Sequence, residues 1–132
     1  MHANYELRKG SDGSAYRLKV RFSSTGSVIL NLCKFVGTTE TSLAMTTVPG
    51  LTHAPGARVR VAFQATGTGT TSLRAKAWST GAGEPTAWLA TATDTEPTLQ
   101  DAGHVGFIGY ANSITNGPVT VSVDNLRVAI PA

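Results

Sequence analysis

Apolar side chains recur at every second position through most of this chain, and Gly, Pro, Asn or Asp interrupts the pattern roughly every ten residues. The clearest case is AYRLKVRF, residues 15–22, where Tyr16, Leu18, Val20 and Phe22 alternate with three cations. Successive side chains of a β-strand point to opposite faces, so this segment separates its apolar residues from its charges. A shift of one residue would bury the cations. The pattern therefore predicts an all-β fold, and no window shows a helical period.

The same alternation predicts strands in most of the remaining chain. They are SVILNLCKF, TSLAMTTV, RVRVAFQAT, SLRAKAW, WLATATD, HVGFIGY and PVTVSVDNLRVAIP. Residues 15–48 are typical of a three-strand meander, and the two Pro-Gly steps of VPGLTHAPG predict a turn after it. Gly106 and Gly109 inside HVGFIGY indicate close approach of another layer or strong curvature, and a change of apolar phase predicts a β-bulge at Asp124 and Asn125. About nine strands with hairpin loops predict an antiparallel two-sheet sandwich or jelly roll, with a closed barrel as the alternative.

The size and charge of the chain limit its function class. Its 132 residues suffice for one domain, residues 1–132, with one core. Only 14% of the residues are charged, and the cations behind the net charge of +3 are spread at alternating positions over several strands. That spread is typical of a solvated sheet face, so we expect no nucleic-acid partner. No apolar run is long enough to span a membrane, the first residues lack a signal-peptide core, and the single Cys33 is expected to be a small buried hydrophobe.

Both tryptophans flank a loop of Gly, Pro, Ser and Thr within residues 72–94, SLRAKAWSTGAGEPTAWLATATD. Trp78 shares its strand phase with Arg74 and Lys76, which places it on the solvent side if the alternating Leu and Ala residues face the core. An indole there can stack on a sugar while charged and amide groups bond its hydroxyls. The alternative is that Trp78, Trp88 and the proline between them stack on one another and hold the loop against the sheet edge.

The sequence does not contain the residue pattern of a catalytic site, and we expect no enzyme activity. Glycosidases need paired carboxylates. The only near pairs are Glu6 with Asp12, Glu84 with Asp94, and Glu96 with Asp101, and none has same-face spacing on one strand. The three histidines are far apart in the sequence, and a Ser-His-Asp arrangement cannot be inferred from scattered serines.

The second half of the chain resembles the C-terminal half of concanavalin A-like, laminin G-like jelly-roll domains. The segments that carry the resemblance are LRAKAW, a Gly-containing loop, EPTAW, TATD, LQDAGHVGFIGY and PVTVSVDNLRV. YRLKVRFSSTGSVILNLCKFVGTTETSLAMTTVPG resembles the middle strands of the same domain, so the resemblance covers most of the chain from residue 14 onward. Such domains are common in secreted actinobacterial proteins and in tail or appendage proteins of phages that infect those hosts.

The resemblance implies a non-catalytic module that binds a polysaccharide or a cell-surface glycan, in an extracellular or virion location. The candidate carbohydrate-binding residues are Trp78, Arg74, Lys76, Gln64 and Trp88. No cofactor is required, although related domains sometimes hold a structural calcium ion near the sandwich rim. Asp124 in VDNLRV is the best single candidate for a ligand of that ion, and the alternative is a carboxylate satisfied by bulge amides or by an arginine.

The chain departs from the family pattern at its start. Such domains carry several strands before the matching part, whereas only the short piece YELRKGS precedes it here. The chain is therefore the C-terminal part of a larger domain, a shorter sandwich, or a sandwich whose missing strands come from a neighbouring subunit, since an open sheet edge invites aggregation. The last alternative predicts self-association. Together with the lack of an export signal and of disulfides, it favours a second function, a structural virion module that mediates assembly without ligand binding.

Overall fold

The computed structural model describes residues 1–111 and 119–131, which form eight β-strands and no α-helix. The strands are β1 (His2–Lys9), β2 (Ala15–Phe22), β3 (Ser27–Val36), β4 (Thr39–Thr52), β5 (Val59–Thr66), β6 (Thr71–Ser79), β7 (Ala90–Asp94) and β8 (His104–Tyr110), with a 3₁₀ turn at Pro97–Leu99. One antiparallel sheet has the order β4-β3-β2-β1-β8 and the other the order β5-β6-β7. The predicted all-β class and two antiparallel sheets are confirmed. No helix in the described ranges is long and apolar enough to cross a membrane.

The core lies between the two sheets and is made by the apolar faces that the alternation indicates. Leu18 of β2, Leu30 and Leu32 of β3, and Leu73 of β6 are fully buried. Burying one such side chain stabilises the fold by about 1.5–3 kcal/mol. Consecutive pairing of β2, β3 and β4 confirms the meander.

Ion pairs hold the cations of β2 on the outer face of the five-stranded sheet. Arg17 pairs with the fully buried Glu6 of β1 at 2.7 Å and with Glu40 of β4 at 2.8 Å, and Lys19 pairs with Glu40 at 2.6 Å. Lys9 pairs with Glu6 at 2.6 Å. We call these five residues the outer-face network. Its members lie on the three strands β1, β2 and β4, and the sequence alone showed them only as separate charges.

A second polar cluster joins the two sheets at the opposite end of the strands from Trp78. The Tyr16 hydroxyl donates a hydrogen bond to Asp94 at 2.9 Å, and the Lys34 ammonium pairs with the same carboxylate at 2.8 Å. Arg8 donates to the Thr71 hydroxyl at 2.9 Å. Because each contact connects one sheet with the other, the cluster fixes how the sheets stack.

The N-terminal segment is a full strand and lies inside the larger sheet. The sequence indicated only a short leading piece there, but β1 pairs with β2 on one side and with β8 on the other. Its inward residues include the small Ala3, which weakens the apolar signal, and its outward residues Asn4 and Glu6 are themselves buried. Burial of polar residues on an outer face hides a strand from a hydropathy pattern.

The first Pro-Gly step does not form the predicted turn. β4 continues through Pro49 and Gly50 to Thr52, and its pairing with β3 shifts between Ile29 and Ser27. Gly50 has φ +69°, a conformation that favours glycine and lets the strand bulge without ending. Only the second Pro-Gly step, which follows β4, lies in a turn.

No strand is found within the described residues 119–131, so the prediction of a strand with a bulge at Asp124 and Asn125 is wrong. Residues 119–131 pair with none of the described strands, and Asn125 has φ +52°, which turns the chain. Pro118, where the predicted strand began, lies outside the described residues. Alternation with a period of two makes a segment competent to form a strand, but only a free sheet edge can supply its hydrogen bonds.

Candidate functional site

A cleft of about 430 Å³ opens between the end of β4 and the loop that joins β6 to β7. Its lining residues are Val48, Pro49, Gly50, Leu51, Lys76, Ala77, Trp78, Ser79, Ala82, Gly83, Pro85, Ala87, Trp88 and Leu89. The walls are mostly apolar, and both tryptophans of the chain are among them. Apolar walls with a few polar groups are typical of small-molecule sites.

The strand phase of β6 brings Trp78 to this cleft. Leu73 and Ala75 are fully buried in the core, as predicted, and Ala77 is nearly so. Lys76 and Trp78 alternate with these core residues, so their side chains lie on the other face of β6. Trp78 is half-buried there. Trp78 thus lines the cleft and remains partly exposed.

Lys76 is the most enclosed polar group in the cleft, with only 6% of its surface exposed. Its ammonium donates a hydrogen bond to the Pro85 carbonyl at 2.6 Å and pairs with Glu84 at 2.8 Å. It also lies 4.7 Å from the centre of the Trp88 ring and 5.8 Å from that of Trp78, within the range of cation–π attraction. The loop is therefore held to β6 through Lys76, and no indole-to-indole stacking is found among the described residues.

Arg74 and Gln64 support Trp88 from outside the cleft. The Arg74 guanidinium lies 4.4 Å from the centre of the Trp88 ring, and its Nε donates to the Gln64 amide oxygen. Neither residue lines the cleft. The five residues proposed from the sequence thus form one connected group, in which three line the cleft and two orient an indole.

Asp124, the candidate calcium ligand, does not join this group. Its carboxylate pairs with Arg58 at 3.2 Å, and both side chains are mostly exposed. No cluster of three or more His, Cys, Asp or Glu side chains that could hold a metal occurs in residues 1–111 and 119–131.

The structure brings together carboxylates that the sequence did not pair, among them Glu6 and Glu40. Glu6 and Glu40 lie on either side of Arg17 and bind it from opposite strands. Burial would raise both pKa values, but hydrogen bonds from Lys9 and Arg17 to Glu6, and from Lys19 and Arg17 to Glu40, outweigh it and hold both below their usual range. The general acid of a glycosidase has a raised pKa, whereas the pKa values of both these carboxyl groups are lowered.

Sequence reasoning missed the wall that β4 contributes to the cleft. Val48 to Leu51 were assigned to a turn, whereas a Pro-Gly step directly after an apolar strand is also a signal for a bulge. Which residues lie opposite the tryptophans depends on where β4 passes β6. That is a tertiary contact between strands of different sheets. No protein-family model, curated protein or solved structure matches this chain.

Proposed function

We propose that this chain is a non-catalytic carbohydrate-binding module and that the cleft between Trp78 and Trp88 holds the glycan. The observation that carries the proposal is that both tryptophans of the chain line one cleft, with a buried lysine between them. Both tryptophans are half-buried, so part of each residue remains exposed to solvent. The apolar face of a sugar packs on such a ring, while its hydroxyls need only a few polar partners.

The charges around the cleft favour a neutral glycan. The ammonium of Lys76 is balanced by the Glu84 carboxylate and occupied by the Pro85 carbonyl. An anionic sugar would meet the carboxylate of Glu84, which is largely exposed and already balances the charge of the ammonium. A neutral sugar can accept a hydrogen bond from the lysine or donate one to the carboxylate without displacing either.

The fold of the chain is consistent with this proposal. Two antiparallel sheets that enclose one core, with the β2–β4 meander, support a concanavalin A-like jelly roll. In that family, glycan binding is exercised outside the cell or on a virion. The extracellular or virion location and the jelly-roll topology are therefore proposed together with the ligand.

The proposal is tested by affinity electrophoresis in gels that contain neutral or anionic polysaccharides. We expect retention by at least one neutral polysaccharide and loss of that retention in Trp78→Ala and Trp88→Ala. Met45→Ala is the matched control, because Met45 is 61% exposed on β4 and does not line the cleft. Thermal unfolding must remain cooperative in each variant. If Trp78→Ala and Trp88→Ala both fold and are both retained as strongly as the unchanged chain, the proposal is contradicted.

A second function is favoured by the exposed apolar side chains of residues 119–131 and of β8. We propose as the alternative a structural module of a virion or other assembly that attaches without a ligand. Exposed apolar strands are typical of surfaces that are covered by another subunit. This alternative predicts that the chain forms a stable assembly with itself. It also predicts that any retention of the protein by a polysaccharide does not depend on the two tryptophans.

A further inference from the structure

Arg60 lies beside Trp78 on the outer face of the smaller sheet. The two residues are directly opposite each other in the antiparallel register of β5 and β6. Val59 and Val61 pack against the core, so Arg60 between them projects away from it. Side chains of such cross-strand partners share one face, with β-carbons about 4.5–5.5 Å apart. Arg60 therefore flanks the indole from β5, although it does not line the cleft.

The Arg60 side chain is exposed, and it differs from its neighbours in having no partner among the described residues. The other three cations on or beside β5 and β6 all have partners. Arg58 pairs with a carboxylate at 3.2 Å, Lys76 pairs with another at 2.8 Å, and Arg74 lies 4.4 Å from the centre of an indole ring. For Arg60, neither an ion pair nor a hydrogen bond nor a cation–π contact occurs within residues 1–111 and 119–131. Its five N–H donors are therefore available to a ligand.

A sugar that stacks on Trp78 presents hydrogen-bonding groups to this guanidinium. The apolar face of a sugar ring packs on the indole, while the hydroxyl groups project from the edge of the ring. A side chain directly beside the indole on the neighbouring strand therefore meets those hydroxyls. Each hydroxyl accepts as well as donates, so the N–H groups of Arg60 can donate to a sugar that carries no charge. A neutral glycan thus suits Arg60 as well as it suits the cleft.

We propose that Arg60 is a further glycan-binding residue and that the bound glycan extends from the cleft across Trp78 to β5. The inference rests on the proposed function, because it takes the cleft as the place where the glycan binds. Arg60 lies outside that cleft, so its contact requires a ligand that continues past the indole. The preferred ligand is therefore a polysaccharide chain rather than a single sugar held entirely within the cleft.

Titration of the tryptophan emission with three soluble neutral polysaccharides, a dextran, a galactomannan and a mixed-linkage β-glucan, tests this inference. For a polysaccharide that binds, we expect the dissociation constant to rise about tenfold in Arg60→Ala, the effect of losing one hydrogen bond to a charged group. Arg21→Ala is the matched control. Arg21 is also exposed and has no hydrogen-bond or ion-pair partner among the described residues, but it lies on β2 in the other sheet. Its variant should bind as tightly as the unchanged chain.

The outcomes separate this inference from the proposed function. Binding that is lost in Trp78→Ala but is as tight in Arg60→Ala as in the unchanged chain would overturn the inference and leave the proposed function standing. Equal weakening in Arg60→Ala and Arg21→Ala would also overturn it, because the effect would then follow the net charge. Binding of none of the three polysaccharides by the unchanged chain would overturn both. Thermal unfolding should be the same in the two arginine variants, since both side chains are exposed.

Discussion

At the scale of single residues, the buried Glu6 restricts which residue types can lie beside it on the neighbouring strands. Its carboxylate accepts hydrogen bonds from Lys9 at 2.6 Å and from Arg17 at 2.7 Å. A β-carbon placed on Gly106 of the neighbouring strand would lie 2.6 Å from the same carboxylate, whereas one on Gly109 would come no closer than 3.9 Å to any atom. The close approach indicated by the glycine in the sequence is thus made by a cross-strand side chain.

Gly106→Ala and Gly109→Ala form a matched pair at this scale. Gly106→Ala forces the fully buried Glu6 carboxylate out of its present position and strains its hydrogen bonds, so we expect a loss of about 1–3 kcal/mol in the free energy of unfolding. Gly109→Ala meets only ordinary contact and should change that free energy by no more than about 1 kcal/mol. Urea unfolding measures both values. Equal stability of the two variants would contradict the assigned role of Gly106.

Lys76 shows which residue properties can be predicted from a sequence. Its strand phase beside Trp78 followed directly from the alternation in SLRAKAW. Its burial did not, because the group that covers it is the Pro85 carbonyl, whose position depends on the path of the loop. Residue type and face are local properties, whereas the partner of a buried charge is a tertiary one.

At the scale of elements, strands were predictable where apolar and polar residues alternate strongly and their sheet neighbours are close in sequence. β2 to β4 satisfy both conditions, and their meander was predicted. Residues 119–131 satisfy only the first condition, and they pair with none of the strands that the structure describes. β1 is the converse case, since its weak pattern is overridden by pairing with two neighbouring strands. Pairing partners, rather than local propensity, decided these two cases.

The ion pairs between strands make stability depend on pH. Contacts with cations and other donors outweigh burial and lower the pKa values of Glu6, Glu40 and Asp94 below their usual values of 4.5, 4.5 and 3.8. A carboxylate with a lowered pKa in the folded state stabilises the fold above its unfolded pKa, and this stability is lost as the pH falls through the folded value. We therefore expect the unfolding temperature to fall most steeply below pH 4.5.

Thermal unfolding between pH 7 and pH 3 measures this dependence. Glu6→Gln removes one of the three titrating groups, so the variant should be less stable at pH 7 and should lose less stability on acidification. The same slope in the variant and the natural chain would show that Glu6 does not contribute.

At the scale of the whole molecule, the cleft exists only because the two sheets stack in one arrangement. Val48 to Leu51 belong to β4 of the larger sheet, while Trp78 and Trp88 belong to β6 and to the loop that precedes β7 in the smaller sheet. The polar cluster of Tyr16, Lys34 and Asp94, at the opposite end of the strands, holds this stacking. Glycan binding should therefore require the intact sandwich.

Tryptophan fluorescence during titration with a soluble neutral polysaccharide tests the central claim most directly. The chain contains two tryptophans and both line the cleft, so the emission reports on this site and on no other. The account predicts a saturable change in emission that persists at high salt, because stacking on an indole is little affected by ionic screening. Retention of a polysaccharide with no change in tryptophan emission would contradict it.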